Sequence, residues 1–218
     1  SGLIKLQNVL AAEDGAPVVW LQGQGCTGCS VSLLNSIYYM TADDLLLNTI
    51  DLEFRATVMA GAGDLAVSAA EDAYANEGYV LVVEGAIPTA ERGEYCYLWP
   101  GMTALKAVKT FSMKAAFILA VGTCASYGGL IAGVPNPTGA VGAWEVVRHK
   151  QVINIPGCPA HPDWIVGTIA HLLTYGKIPE LDHYGRPTDF YHKTVHSQCT
   201  NRKKFHDQAI FAQELGEE

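Results

Sequence analysis

Five apolar runs, each followed by a segment with helical spacing, restrict the possible folds of this chain more than any other feature. The strand-like runs lie at 17–22, 52–59, 79–87, 115–122 and 152–156, and the helix-like segments at 29–39, 64–75, 102–112, 140–148 and 162–175. Strands that alternate with helices cannot pair through tight hairpins. Each must return by a crossover, which makes the sheet parallel and covers both of its faces. The expected class is therefore α/β, with a doubly wound parallel sheet. The last helix carries the clearest signals: Pro162 in its first turn, Trp164, Ile165, Thr168, Ile169 and Leu172 on one face, and Gly176 as its stop.

In such a sheet, ligands bind in the crevice outside the carboxyl ends of the strands. Four cysteines fall at those ends. Val18-Val19-Trp20-Leu21 runs into Cys26 and Cys29, Ala116–Val121 into Cys124, and Val152–Ile155 into Cys158. Spacing alone leaves structural zinc, a thioredoxin-like redox pair, free buried thiols and an iron–sulfur cluster open. Zinc ribbons commonly use two nearby pairs, and a redox pair has no use for Cys124 and Cys158, whereas four thiolates are the usual ligands of a 4Fe–4S cluster. Zinc is the main rival. Gly23, Gly25 and Gly28 are expected to let the backbone come close and turn amides toward sulfur, and Pro156 and Pro159 to fix the approach of Cys158. Glu84 ends another strand, so its carboxylate either orients the loops of that crevice, influences protons that move there, or serves as a helix-capping or turn residue. Cys96 is not placed like a ligand and reads as a structural thiol. His161 and Trp164 are expected to shape the turn after Cys158.

With 218 residues and 49% hydrophobic content, the chain can bury a core without a staple, so a metal here would be functional. A net charge of -8 argues against a nucleic-acid surface, and the one basic run, Arg202-Lys203-Lys204, reads as a solvated face. No stretch approaches the roughly 20 apolar residues of a membrane span, and the sequence opens at Ser1 without a signal segment, which leaves open a signal removed before Ser1. Its six cysteines do not identify a redox compartment. From Ile178 the texture changes to Pro179, Pro187 and clustered Asp, Tyr and His, with one short helical pattern near 204–215. The reading is a first domain over 1–177 and, over 178–218, the incomplete start of a smaller irregular region that carries His196 and Cys199.

The motifs themselves are distinctive. Trp20-Leu-Gln-Gly-Gln-Gly-Cys26-Thr-Gly-Cys29, Val83-Glu84-Gly-Ala-Ile-Pro88, Val121-Gly-Thr123-Cys124-Ala-Ser-Tyr-Gly-Gly129, Pro156-Gly-Cys158-Pro159 with His161-Pro-Asp-Trp164, and His196-x-x-Cys199 resemble the small subunit of nickel–iron hydrogenases, near the nickel–iron–selenium subgroup. The resemblance implies a flavodoxin-like domain in which Cys26, Cys29, Cys124 and Cys158 bind a proximal 4Fe–4S cluster, with Glu84 and Thr123 supporting it. It implies a large subunit that holds the nickel–iron centre, so that no residue of this chain is catalytic, and an external carrier such as a cytochrome or membrane subunit. Electrons would pass between the two during reversible dihydrogen oxidation. His196 and Cys199 match the first two ligands of a distal cluster, yet the sequence stops before the cysteines that would complete it and supply a middle one. Further clusters are expected if the chain is a fragment. With Gly28 inside the first pair, the proximal cluster resembles the ordinary type. Family analogy places the complex in the periplasm or on the outer face of the cytoplasmic membrane, with the cytoplasm as the alternative. Two rival readings are a cluster-bearing subunit of respiratory complex I, whose first cysteines are adjacent, and a non-catalytic flavodoxin-like domain stapled by zinc.

Overall fold

The computed structural model describes residues 15–38, 40–208 and 214. Five strands, β1 (Ala16–Gln22), β2 (Ile50–Phe54), β3 (Val80–Glu84), β4 (Phe117–Val121) and β5 (Ile153–Ile155), form one sheet in the order β2-β1-β3-β4-β5, with every pairing parallel. This is the flavodoxin-like order, whose direction of winding reverses between β1 and β3. All residues of β3 and β4 are buried. A strand covered on both faces has no polar side to present, which is why Val-Leu-Val-Val and Phe-Ile-Leu-Ala-Val show no alternation.

Ten helices follow among the described residues: α1 (Gly28–Leu33), α2 (Ala42–Asn48), α3 (Asp64–Asn76), α4 (Ala104–Lys114), α5 (Gly122–Tyr127), α6 (Ala143–Val146), α7 (Pro162–Tyr175), α8 (Thr188–Tyr191), α9 (Val195–Gln198) and α10 (Arg202–Gln208). On one face of the sheet, Val19, Leu21, Leu81 and Val83 pack against Ala70 and Ala73 of α3 and Val108 and Phe111 of α4. On the other, Val18, Trp20, Val80 and Val82 share a core with Leu33, Leu45, Ile165, Ile169 and Leu172. Each large apolar side chain fully buried there contributes about 1.5–3 kcal/mol. Helix α7 begins at Pro162 and ends at Gly176 in the left-handed region, as its sequence signals require.

Several elements depart from the sequence reading. The run 52–59 leaves the sheet after Phe54, because Arg55 turns inward and its carbonyl accepts from the amides of Val58 and Met59. The run 79–87 divides: Gly85 turns the chain at φ +82°, and Ile87–Pro88 pairs antiparallel with Ala140–Val141. That pairing takes the start of the expected helix 140–148, which contracts to α6. Helix α1 stops at Leu33, short of the expected 39, and α2 had no counterpart in the reading. Of the helical pattern near 204–215, α10 accounts for the part up to Gln208; residues 209–213 and 215–218, and the opening fourteen, lie outside the described residues.

The irregular segment after α7 runs beside the outer edge of β5. The Asn154 amide donates to the Gly185 carbonyl at 2.8 Å, the Asn154 side chain to the Tyr184 carbonyl at 2.8 Å, and the Tyr191 hydroxyl to the Pro156 carbonyl at 2.7 Å. An otherwise open strand edge is thus covered. Among the described residues, no helix is long and apolar enough to cross a membrane.

Candidate metal centre

At the carboxyl lip of the sheet, the loops after β1, β3, β4 and β5 enclose a cavity of about 150 Å³. Cys26, Cys29, Cys124 and Cys158 all line it, together with Glu84 and Thr123. Each of the four cysteines is a free thiol; Cys29 is buried, Cys124 half-buried, and Cys26 and Cys158 are exposed. The cavity is therefore walled by the sheet on one side and opens to the surface on the other. Among the described residues, no three His, Cys, Asp or Glu side chains converge as they would around one ion.

The backbone brings the sulfurs together by close approach. A Cβ on Gly122, which sits at φ +87°, would lie 2.4 Å from the Cys29 sulfur, and one on Gly129 would lie 2.7 Å from that of Cys124. Only glycine leaves room for both the turn and the sulfur. Gly23 and Gly25 bring two loops into close approach. They let the β1 loop lie against the β3 loop, where Gln24 and Ala86 exchange backbone hydrogen bonds at 2.9 and 2.7 Å. Backbone amides of Ala160, toward Cys29, and of Leu130, toward Cys124, point to sulfur.

Burial pushes the Cys29 thiol up to about 11, and burial with the neighbouring Cys158 and Cys26 raises Cys124. Bare thiolates are thus disfavoured there, whereas a metal core makes the thiolate the resident form by supplying positive charge. Thr123 ties two cysteine loops together: its amide donates to the Gly157 carbonyl at 2.9 Å, and its hydroxyl accepts from the Gly157 amide at 3.0 Å.

Glu84 unites two of the roles posed for it, capping a helix and orienting a cysteine loop. It is 3% exposed, and its Oε1 accepts from the amides of Cys29 at 3.1 Å and Ser30 at 3.2 Å, the donors that open α1. Thr27, the residue before that helix, supplies no side-chain cap. A carboxylate from another strand therefore caps α1 and fixes the turn that carries Cys29. Its Oε2 accepts from Trp20 Nε1 at 2.9 Å, the Ser30 hydroxyl at 2.5 Å and Arg55 at 3.0 Å. Arg55 and Ser30 were not singled out from sequence, and Trp20 was named only as part of the first apolar run and motif. The available signal was positional, since Gln22, Arg55 and Glu84 are polar residues at or just beyond the ends of three neighbouring strands.

The remaining candidates lie elsewhere. Cys96 packs against the core beside α4. His161 stacks on Trp164 at 5.3 Å just after Cys158, and Trp164 meets Tyr191 edge-on at 4.8 Å, which pins the segment after α7. His196 and Cys199 are exposed and away from the cavity; the His196 ring faces that of His206 at 2.5 Å.

Comparison with known proteins adds relatives to this geometry. Residues 26–172 match the family model described as NADH ubiquinone oxidoreductase, 20 Kd subunit. The chain is 39% identical to the periplasmic [NiFeSe] hydrogenase small subunit of Desulfomicrobium baculatum, over 91% of this chain and 69% of that protein. To the Hydrogenase-2 small chain of Escherichia coli K12 it is 42% identical, over 93% of this chain and 54% of the relative. It therefore spans between about half and two thirds of these relatives' lengths. Among solved structures, the H2-activated [NiFeSe]-hydrogenase of Dm. baculatum aligns with a TM-score of 0.83 at 39% identity, covering 93% of this chain and 79% of that one. The oxidized [NiFeSe] hydrogenase from Desulfovibrio vulgaris Hildenborough aligns with a TM-score of 0.85 at 38% identity, covering 95% and 80%.

Proposed function

We propose, from the premise that the chain belongs to the family of nickel–iron hydrogenase small subunits, that it is the electron-transfer subunit of such an enzyme. The observation that carries this reading is the four free cysteines, drawn from three loops, around one cavity of about 150 Å³. The donor set and the space suit an eight-atom 4Fe–4S core. A single zinc would draw four sulfurs to about 2.3 Å from one centre and leave no such hollow. Cys26, Cys29, Cys124 and Cys158 would hold the core as thiolates. Such a cluster, when bound, accepts and releases one electron at a time.

The chain's own residues do the rest. Glu84 caps the Cys29 turn, Thr123 holds the Cys124 and Cys158 loops in register, and the Ala160 and Leu130 amides favour thiolate over thiol. Cys26 and Cys158 face outward, so a large subunit with the nickel–iron centre would close the cavity and keep water from it. Leu130, whose amide faces Cys124, and Val134 in the same segment are fully exposed and fit a buried subunit contact. In this reading residues 1–177 form the flavodoxin-like domain. Residues 178–218 begin a region for further clusters, with His196 and Cys199 as ligands, from which electrons pass to an external carrier. The relatives named as periplasmic favour that compartment.

The test pairs two thiols in the enzyme purified anaerobically with its partner. Cys124→Ser is expected to lose the visible absorption of the proximal cluster and at least tenfold in hydrogen uptake. Cys96→Ser keeps both near the parent. Equal effects of the two substitutions refute the assignment.

A further inference from the structure

Arg55 is 1% exposed, at a depth where an unpaired charge is among the most destabilising features a fold can contain. Its donors are matched on every side. Nη1 donates to Gln22 Oε1 at 2.8 Å, Nε to Ser30 Oγ at 3.1 Å, and Nη2 to Ser30 Oγ and to Glu84 Oε2, the latter at 3.0 Å. The guanidinium also lies over the Trp20 ring, 5.6 Å from its centroid. Each of these partners belongs to the machinery of the Cys29 turn. Gln22 donates in turn to the Thr27 hydroxyl at 2.7 Å, inside the Cys26–Cys29 loop, and Ser30 follows Cys29 directly. An ion pair this deep is weak evidence for stability, because apolar side chains of similar volume often serve as well. Its contact with Glu84, which lines the four-cysteine cavity, calls for a different explanation.

We infer that Arg55 is a positioning residue for the proximal cluster: its planar fork locks Ser30, Gln22 and Glu84 in one arrangement around the Cys29 turn and sets a fixed positive charge next to the Glu84 carboxylate. The inference rests on the four-cysteine reading. Charges and hydrogen bonds next to a buried cluster shift its reduction potential, and they act strongly where water is excluded. Loss of the positive charge favours the oxidised, less negative core, so the midpoint falls. Lysine keeps the charge but cannot reproduce the three-directional fork.

The experiment uses the enzyme purified anaerobically with its partner, as the parent, Arg55→Met and Arg55→Lys. Iron content, the electron paramagnetic resonance spectrum of the reduced cluster and its midpoint by redox titration are measured. Arg55→Met is expected to keep its iron and to lower the midpoint by about 59 mV or more, a tenfold change in a one-electron equilibrium. Arg55→Lys is expected to shift it less while altering the spectrum. Parental midpoints and spectra in both variants overturn the inference. If Arg55→Met fails to load, Arg55→Lys decides alone: an altered spectrum supports the inference and a parental one overturns it. A parent without iron refutes the four-cysteine reading instead, and is recognised before any variant is compared.

Discussion

Substituting Gly122 by alanine separates the cost of the backbone from the demands of the proposed metal site. Gly122 and Gly101 hold similar positive φ values, +87° and +76°, but a Cβ at Gly101 meets nothing within 4 Å whereas one at Gly122 lies 2.4 Å from the Cys29 sulfur. Alanine in this conformation costs about 1–2 kcal/mol at either position. At Gly122 the methyl must also push the sulfur outward by about 1 Å to reach ordinary contact. Metal–ligand distances tolerate roughly 0.2 Å, so in the proposed cluster the displaced thiolate would no longer reach its iron. The obstacle is the end of a side chain that can rotate away, so the extra loss appears in cluster content more than in folding. Gly101→Ala and Gly122→Ala are thus expected to lose similar stability in denaturant unfolding, about 1–2 kcal/mol each. Metal analysis and visible absorption find full iron in the first and most of it gone from the second. Parental iron and absorption in Gly122→Ala refute this account of how the cavity is shaped.

Two further outcomes test the segment after α7. Burial works to raise the Asp182 carboxyl, but hydrogen bonds from Arg186 and Tyr184 overcome it and hold the group below its ordinary value. A depressed carboxylate stabilises the fold above its unfolded pKa, near 3.9, and that contribution disappears as pH falls through the folded value. Arg186→Met is therefore expected to be about 1 kcal/mol less stable than the parent at pH 7, with the gap closing below about pH 4. Denaturant midpoints at the two pH values check this, and an unchanged gap contradicts it. Trp164 stacks between His161 and Phe190, with centroids at 5.3 and 6.1 Å. Trp164→Leu is expected to speed amide exchange in residues 184–191 about tenfold, the equivalent of about 1.4 kcal/mol of lost aromatic packing, and to leave β3 and β4 protected. Uniform exchange across both regions would show that the ring secures the whole domain.

The strands and the last helix were legible because their signals are local. An apolar run such as Phe117–Val121 has no polar face to leave in water, and Pro162 and Gly176 mark helix ends through their own backbone preferences. The cysteines were legible for the same reason, since each sits just past an apolar run at a glycine or proline turn, and parallel winding sends all those turns to one lip. The two-residue pairing of Ile87–Pro88 with Ala140–Val141 has too few residues to show a period, and it converted part of an expected helix into strand. Helix α2 is likewise short, and most of its apolar residues remain partly or wholly exposed.

The order of residues along the chain determined a covered parallel sheet and delivered four sulfurs to its carboxyl edge, because periodicity and turn preference belong to neighbours in sequence. Only the tertiary structure decided that Arg55 is buried and that Glu84 caps a helix from a distant strand. Whether a charge lies in water or in the core depends on what packs over it, and here the covering partners stand 25 and 29 residues from Arg55 along the chain.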